Sequence, residues 1–377
     1  MPFAPRAGGA LSAITLALGL ATLPTPAHAA PIACDEVALV AAVNAANQAG
    51  GGVIDLAPNC VYTLDTVAPA VGGNGPNGLP VITERVTING SNAVIERAAD
   101  PTTPNFRLFE VGGADGRLTL DRITLRNGHL GDELGGAVLV NNDRGLFVDD
   151  STLTGNHAHE GGAIAAVGVG HATISGSTVS DNTVDWGGGG VYGGGLTIRS
   201  TTVSGNKAHH AGGVHSLGTL LMQSSTVRNN SAEVAGGVYN AGTGTITGSG
   251  VQDNTAGTAG GVFNLTGSLT VDHSTIHGNT ATVEGGGLHN YDGTLDVDSS
   301  ILWANKVTAT DSRGGGLYNG TGTATLTRSF VVGNRAVLEG GGIFETPGST
   351  VDLVNSFVFA NTPDNCRPPR AVPGCTG

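Results

Sequence analysis

Residues 235–254 read AGGVYNAGTGTITGSGVQDN, and this one phrase decides the fold. Three short alternating runs, Val238-Tyr239-Asn240, Gly244-Thr245-Ile246-Thr247 and Ser249-Gly250-Val251-Gln252, are separated by Gly, Ser and Thr and close on Asn254. Alternation with period two directs Val238, Ile246 and Val251 to one side and their polar neighbours to the other. The phrase then repeats along the chain. Its asparagines are Asn127, Asn156, Asn182, Asn206, Asn230, Asn254, Asn279, Asn305, Asn334 and Asn361, at gaps of 29, 26, 24, 24, 24, 25, 26, 29 and 27 residues. Small-residue triplets such as Gly161-Gly162-Ala163 precede the aliphatic anchors Val138, Ile164, Val191, Val214, Val238, Val262, Leu288, Leu317 and Ile343. A variable period around a constant phrase is a solenoid with turns of uneven length.

Three strands per turn, each pairing with its equivalent one coil on, predict an all-β fold: a single-stranded parallel β-helix with three sheets around stacked aliphatic residues. Each turn of the coil serves as the crossover that parallel strands require. With coils about 4.8 Å apart, ten of them span roughly 50 Å. The recurrent asparagine suits a tight bend, because Asn tolerates left-handed backbone and its amide can bond to the coils on either side. Five regions follow: a leader over 1–29, a cap helix and first strand over 30–60, irregular coils over 61–126, regular β-helix over 127–361, and a tail over 362–377. In the cap, Asp35 precedes a stretch whose apolar stripe is Val37, Val40, Ala41 and Val43 and which stops at Gly50-Gly51-Gly52. The Gly-, Pro- and Asn-rich chain from Asn59 to Asn77 is expected to be a long excursion.

Composition narrows the function. The leader has Arg6 as its only charge, an apolar run from Leu11 to Leu23 and small residues ending Ala27-His28-Ala29, the pattern of a cleaved secretory signal. An exported, extracellular protein without a membrane span follows, and losing Arg6 takes the formal charge from -13 to -14. So acidic a chain disfavours nucleic acid as a partner. The seven arginines Arg85, Arg97, Arg107, Arg117, Arg122, Arg126 and Arg144 are mixed with acids and read as solvated strand faces. Of the three connectivities that four cysteines allow, proximity selects Cys34 with Cys60 and Cys366 with Cys375, in keeping with an oxidising compartment. No CxxC spacing offers a cysteine metal site.

The GG-(A/G)-(I/V) and GN pattern resembles the right-handed parallel β-helix proteins of the pectin lyase-like class, and in particular the repeats of polymorphic outer-membrane proteins. The segment Cys34-Asp35-Glu36 to Thr63-Leu64 is similar to the N-terminal caps of secreted members. The resemblance implies the fold and a secreted polysaccharide-active or surface protein. The class's catalytic patterns (NTD with GDD, QDTL, Arg-x-Pro-x-x-Arg) do not occur, and Asp181-Asn182-Thr183 and Asp253-Asn254-Thr255 are parts of the repeat.

Aligning coils on their anchors puts Glu133, His159, Trp186, His209 and Glu233 in one column, two residues before the triplet. Asp132, His157, Glu160, Asp185, Lys207 and His210 lie beside it. Asp132, Glu133, His159, Glu160, Asp185 and His209 are the catalytic candidates: carboxylates two coils apart, near ~9.5 Å, approach the inverting-glycosidase separation, with Asp132 and Asp185 such a pair. A lyase would instead take Lys207 or His209 as base, with a carboxylate or a bound cation such as calcium offsetting substrate charge. No residue set is assigned to a metal. A second stripe, Tyr192, His215, Tyr239, Phe263, His289, Tyr318 and Phe344, follows the anchors and points outward if they point inward. Flat rings along a rod suit sugar faces, so Trp186, Tyr192, Lys207, His210, His215, Tyr239 and Phe263 are the substrate-binding candidates. The alternative is that the rings stabilise the sheet by stacking on one another. Val307 to Arg313 lengthens one coil, where Asp311 and Arg313 form a candidate exposed pair. The expected function is a monomer that binds extracellular polysaccharide, with cleavage left open. A non-enzymatic adhesin or structural rod is the alternative.

Overall fold

The structure is a computed structural model that describes Met1, residues 30–69, 74–368 and 372–375. The leader reading therefore lies, apart from Met1, outside the described residues. The chain divides into Met1–Ala30 and Pro31–Gly377, and the second unit is the solenoid.

All strand pairs of the solenoid named here are parallel and one coil apart. Val238, Tyr239 and Asn240 face Val214, His215 and Ser216 on one side and Val262, Phe263 and Asn264 on the other. The anchors from Val138 to Ile343 are at most 1% exposed, and with Ile246, Val251 and their equivalents they form one continuous core. Among the described residues, hydrogen bonds join the strands into three sheets of thirty, four and two strands. A regular coil carries four short strands rather than three: Val238–Asn240, Thr243–Thr247, Gly250–Gln252 and then Thr255–Thr258. The fourth follows the asparagine. It is too polar to have been read as a strand, and its like form the separate ladders of two and four strands.

Close packing of coils explains the small triplets. A Cβ on Gly236 would come within 2.5 Å of the Gly260 carbonyl oxygen one coil on, and Gly161 adopts φ +65° at the entry to its triplet.

The asparagines bond as expected but for a different conformational reason. From Asn156 to Asn334 each amide nitrogen donates to the next ladder asparagine's Oδ1 at 2.9 to 3.0 Å, ending on Asn361. The left-handed residue is the one before, such as Asp181 (φ 55°), Asn229 (56°) or Asp253 (54°). Asn127 itself has φ 63°, and it is Gly128 N that donates to Asn156 Oδ1. Asn127 is thus the bend residue of its coil and no rung of the ladder. A second ladder that the repeat did not announce runs from Asn240 through Asn264 and Asn290 to Asn319, amide to amide at 2.8 Å.

The N-terminal end is covered by the helix Glu36–Gln48, with the Asp35 side chain accepting from Ala38 N at 2.7 Å. Its buried stripe is Leu39, Val43 and Ala46. Val37 is 78% exposed and Ala41 is also exposed, so the expected stripe was turned about the axis. The disulfides Cys34–Cys60 and Cys366–Cys375 stand near the solenoid's two ends. The expected excursion is partly solenoid, because Val61–Leu64 is a strand paired with Val94–Arg97. Arg107 corrects the reading of the arginines as solvated. It is fully buried, donates to Leu134 O at 3.0 Å, Asn77 Oδ1 at 2.8 Å and Asn74 O at 2.5 Å, and pairs with Glu110 at 3.5 Å. This guanidinium ties the 74–77 segment to the coil. Arg313 bonds Glu339 at 2.9 Å rather than pairing with Asp311. Among the described residues no helix is long and apolar enough to cross a membrane.

Candidate functional site

The segment after each ladder asparagine positions the candidate column. Thr183 faces His157 on one side and Lys207 on the other, while Gly187 faces Glu160 and His210. Between these fixed points the Thr183–Gly187 strand holds one residue more than its neighbours, a β-bulge at Asp185 and Trp186. Bulges re-aim side chains, and this one sends the Trp186 indole outward to 45% exposure.

Trp186 is the centre of a ring cluster. Its indole stacks on His209 at 4.9 Å with 7° between planes and meets His210 at 4.9 Å and 52°. His209 Nε2 lies 3.0 Å from the Glu233 carboxylate. Burial, then the neighbouring His209, lowers the His210 pKa. Lys207 is exposed beside Thr183 and Ser231, two residues before His209 of the ring cluster.

On the other side of the bulge, burial raises the Glu160 pKa despite the hydrogen bond from the Tyr192 hydroxyl. The Tyr192 phenol, desolvated and next to that carboxylate, is pushed up to about 12. His159 follows Glu133 one coil on, its N–H donating to Glu133 O at 2.8 Å. The Glu133 carboxylate contributes to the field at Arg107 and its chain lies where a Cβ on Gly75 would meet it at 3.1 Å, away from Trp186. Asp132 and Asp185 are both exposed, and Asp185 acts on His129.

His129 was missed in the sequence. It stacks on His157 at 4.7 Å, and burial followed by the His157 charge lowers its pKa. The repeat contained the signal: once Gly128 is placed in the asparagine's ladder position, His129 aligns with His157. The Glu284–Tyr318 pair repeats the Glu160–Tyr192 pair further along, with Tyr318 likewise pushed to about 12.

The second stripe is a stack rather than a row of free rings. Successive centroids from Tyr192 through His215, Tyr239, Phe263, His289 and Tyr318 to Phe344 are 4.5 to 5.3 Å apart. His215, Phe263 and His289 are at most 6% exposed, so these rings are covered and do not offer the free faces expected for sugar binding. The turn that enters each triplet folds over them, as Val234 with the triplets' first residues Ala235 and Ala259 does against Phe263. Tyr192 and Tyr239 keep partial exposure.

A cavity of about 530 Å³ opens beside this stack, lined by Leu134, Val167, Val169, His171, Tyr192 and Leu217 among others. Gly194, Gly195 and Gly218 leave it room; a Cβ on Gly195 would come within 2.3 Å of His171 Nδ1. Leu134, which bridges Glu160, and Tyr192, which bonds it, are shared between the cavity and the flank of the column. Among the described residues no group of three or more His, Cys, Asp or Glu side chains converges to hold a metal ion.

A family model described as the right handed beta helix region matches residues 136–301. No curated protein and no solved structure matches the chain.

Proposed function

We propose that this chain is an extracellular polysaccharide-binding β-helix whose contact face is the Trp186 cluster and the adjoining cavity. The observation that carries the reading is the bulge-borne indole. A flat ring, half exposed, braced from behind by His209 and edged by Glu233 and His210, offers a stacking face and hydrogen-bonding groups at its rim. A pyranose presents the same combination, an apolar face of C–H groups with hydroxyls around it. Lys207 beside this face favours chains that carry uronate or other anionic groups. Tyr239, 6.1 Å from His210 between ring centroids, extends the face by one coil.

Cleavage of the bound chain falls to Glu160 in this reading, since burial holds that carboxyl toward its proton-carrying form. His159, Asp185, Asp132 and Glu133 flank it as candidates for the second group. The competing non-enzymatic rod draws support from the same residue, because Glu160 already engages the Tyr192 hydroxyl. Calorimetric titration with neutral and anionic oligosaccharides tests binding: Trp186→Ala should weaken retention at least tenfold, and equal affinity in the variant would refute the site. Reducing-sugar release and unsaturated-product absorbance, with and without calcium, then separate the activities. Release lost in Glu160→Gln identifies an enzyme, and binding without release identifies a rod that only binds.

A further inference from the structure

One sheet face changes its chemistry partway along the solenoid. The strands that precede the ladder asparagines have three residues each, with the middle one buried and the outer two facing solvent. In the coils from Thr152 to His277 the outer positions are Thr152 and Thr154, Thr178 and Ser180, Thr202 and Ser204, Thr226 and Arg228, Gly250 and Gln252, Thr275 and His277. This is the composition a wet strand face should have. In the last three coils of this face the same positions become Ile301 and Trp303, Phe330 and Val332, Phe357 and Phe359. Five of these six are 40 to 58% exposed, and Val354 on the strand before Phe357 adds a further 45% exposed side chain.

Four rings of this face stack in pairs along the coils. Phe330 and Phe357 stack at 5.6 Å with 19° between planes, and Trp303 stacks on His277 at 4.6 Å with 20°. Each of these stacks covers one face of each ring, and the surface left to solvent is apolar. Scaled by those exposures, the apolar area is on the order of 500 Å². A stable interface buries about 800 Å² per partner, mostly an apolar centre within a polar rim. The patch has the size of such a centre.

Charge selects the occupant. On the flank before the strands stand Asp296, Asp298 and Asp352, with Asp298 engaging Arg328. On the flank after them stand Lys306 and Arg335, exposed and in register one coil apart. A second copy turned about a two-fold axis parallel to the stacking direction brings its basic flank over the first copy's acidic flank, twice. The perpendicular two-fold would oppose acid to acid. Face-to-face sheets pack about 10 Å apart, which leaves room for one layer of interdigitating side chains.

We infer that Ile301, Trp303, Phe330, Phe357 and Phe359 form an isologous dimer face, on which two copies of this chain lie side by side with their coils running the same way. This inference departs from the expectation of a monomer. Sedimentation velocity of the full secreted chain at increasing concentration up to the millimolar range tests it. Wild type should show the mass of two chains. Phe330→Thr with Phe357→Thr, which installs the residue type of the earlier coils, should weaken association at least about a hundredfold with unchanged circular dichroism. Lys306→Glu with Arg335→Glu should also weaken it, and adding Asp296→Lys with Asp352→Lys should restore it. A single-chain mass for wild type, a dimer that survives the threonine pair, or a charge swap that fails to restore association would each overturn the inference. Loss of polysaccharide retention in the threonine pair without any change of mass would do so too. The glycan face at Trp186 is untouched by these variants, so the two readings fail separately.

Discussion

Asn230→Ala should remove one rung of the main ladder at a calculable cost. Asn230 Oδ1 accepts from Asn206 N and from Asn206 Nδ2, both at 3.0 Å, and its own Nδ2 donates to Val203 O and Asn254 Oδ1, also at 3.0 Å. The residue is 1% exposed. Alanine keeps the backbone bond from residue 230 N to Asn254 Oδ1. It leaves two buried donors unmet, the Asn206 backbone N–H and one hydrogen of its amide, and each such group costs about 1–3 kcal/mol. The loss is then about 4 kcal/mol. At roughly 2.1 cal/mol/K per residue, the unfolding entropy of the Pro31–Gly377 unit is about 0.7 kcal/mol/K, so Tm should fall by about 5 °C. Scanning calorimetry reads that shift. Because solenoid stability sums over coils and their interfaces, hydrogen exchange at Asn206 N–H should accelerate while coils far from it stay protected. The control is Asn127→Gly, which occupies a left-handed bend outside the ladder and should leave Tm within about a degree. If Asn230→Ala leaves Tm unchanged, or Asn127→Gly costs as much, the ladder does not carry the stability assigned to it.

Acid and alkali should destabilise through different groups. Burial lowers His289 to about 3, and burial followed by His210 lowers His215 to about 4, so the unfolded chain takes up protons that the native chain refuses. Their contribution is full above about pH 6.5 and is lost as pH falls toward those values; His289→Phe should flatten the acid limb of a Tm-versus-pH curve. Glu345 is raised to about 7 by burial and then by Asp352, so its contribution is full below about pH 4.5 and is lost as pH rises through 7. Glu345→Gln should raise Tm at pH 8 relative to wild type, by no more than about 3 kcal/mol of stability, and an unchanged alkaline limb would count against the burial of that carboxyl. Arg107→Met should cost about 3–5 kcal/mol by leaving Glu110 without its buried cation; limited proteolysis near Asn74–Asn77 should become faster, and wild-type resistance there would contradict the tethering role. Trp186→Phe should retain more oligosaccharide affinity than Trp186→Ala, since a smaller ring still stacks on His209; equal loss in both would point to the indole N–H instead.

The solenoid was legible because its determinants are local and repeated. Period-two alternation sets which residues enter the core, and the middle glycine of each triplet is required wherever the next coil's carbonyl approaches. The asparagine phrase recorded the ladder except at its start, where Asn127 and Gly128 exchange roles by a single residue, and that shift hid His129. The stripe after the anchors was legible as a stripe. Its burial was not, because Phe263 is covered by residues 234, 235 and 259, which stand at the entry to the triplets of two coils. Arg107 escaped for a similar reason, since its partners at 74, 77 and 134 are remote in sequence. The sequence alone thus determined the fold class, the coil count to within a turn or so, and the cysteine pairing that proximity suggested. Only the tertiary structure decided which rings are free. Exposure at a given strand position depends on what the neighbouring coils and turns lay over it, so Trp186 on its bulge and Phe357 on its bare sheet face solvent, while Phe263, as apolar as either, does not.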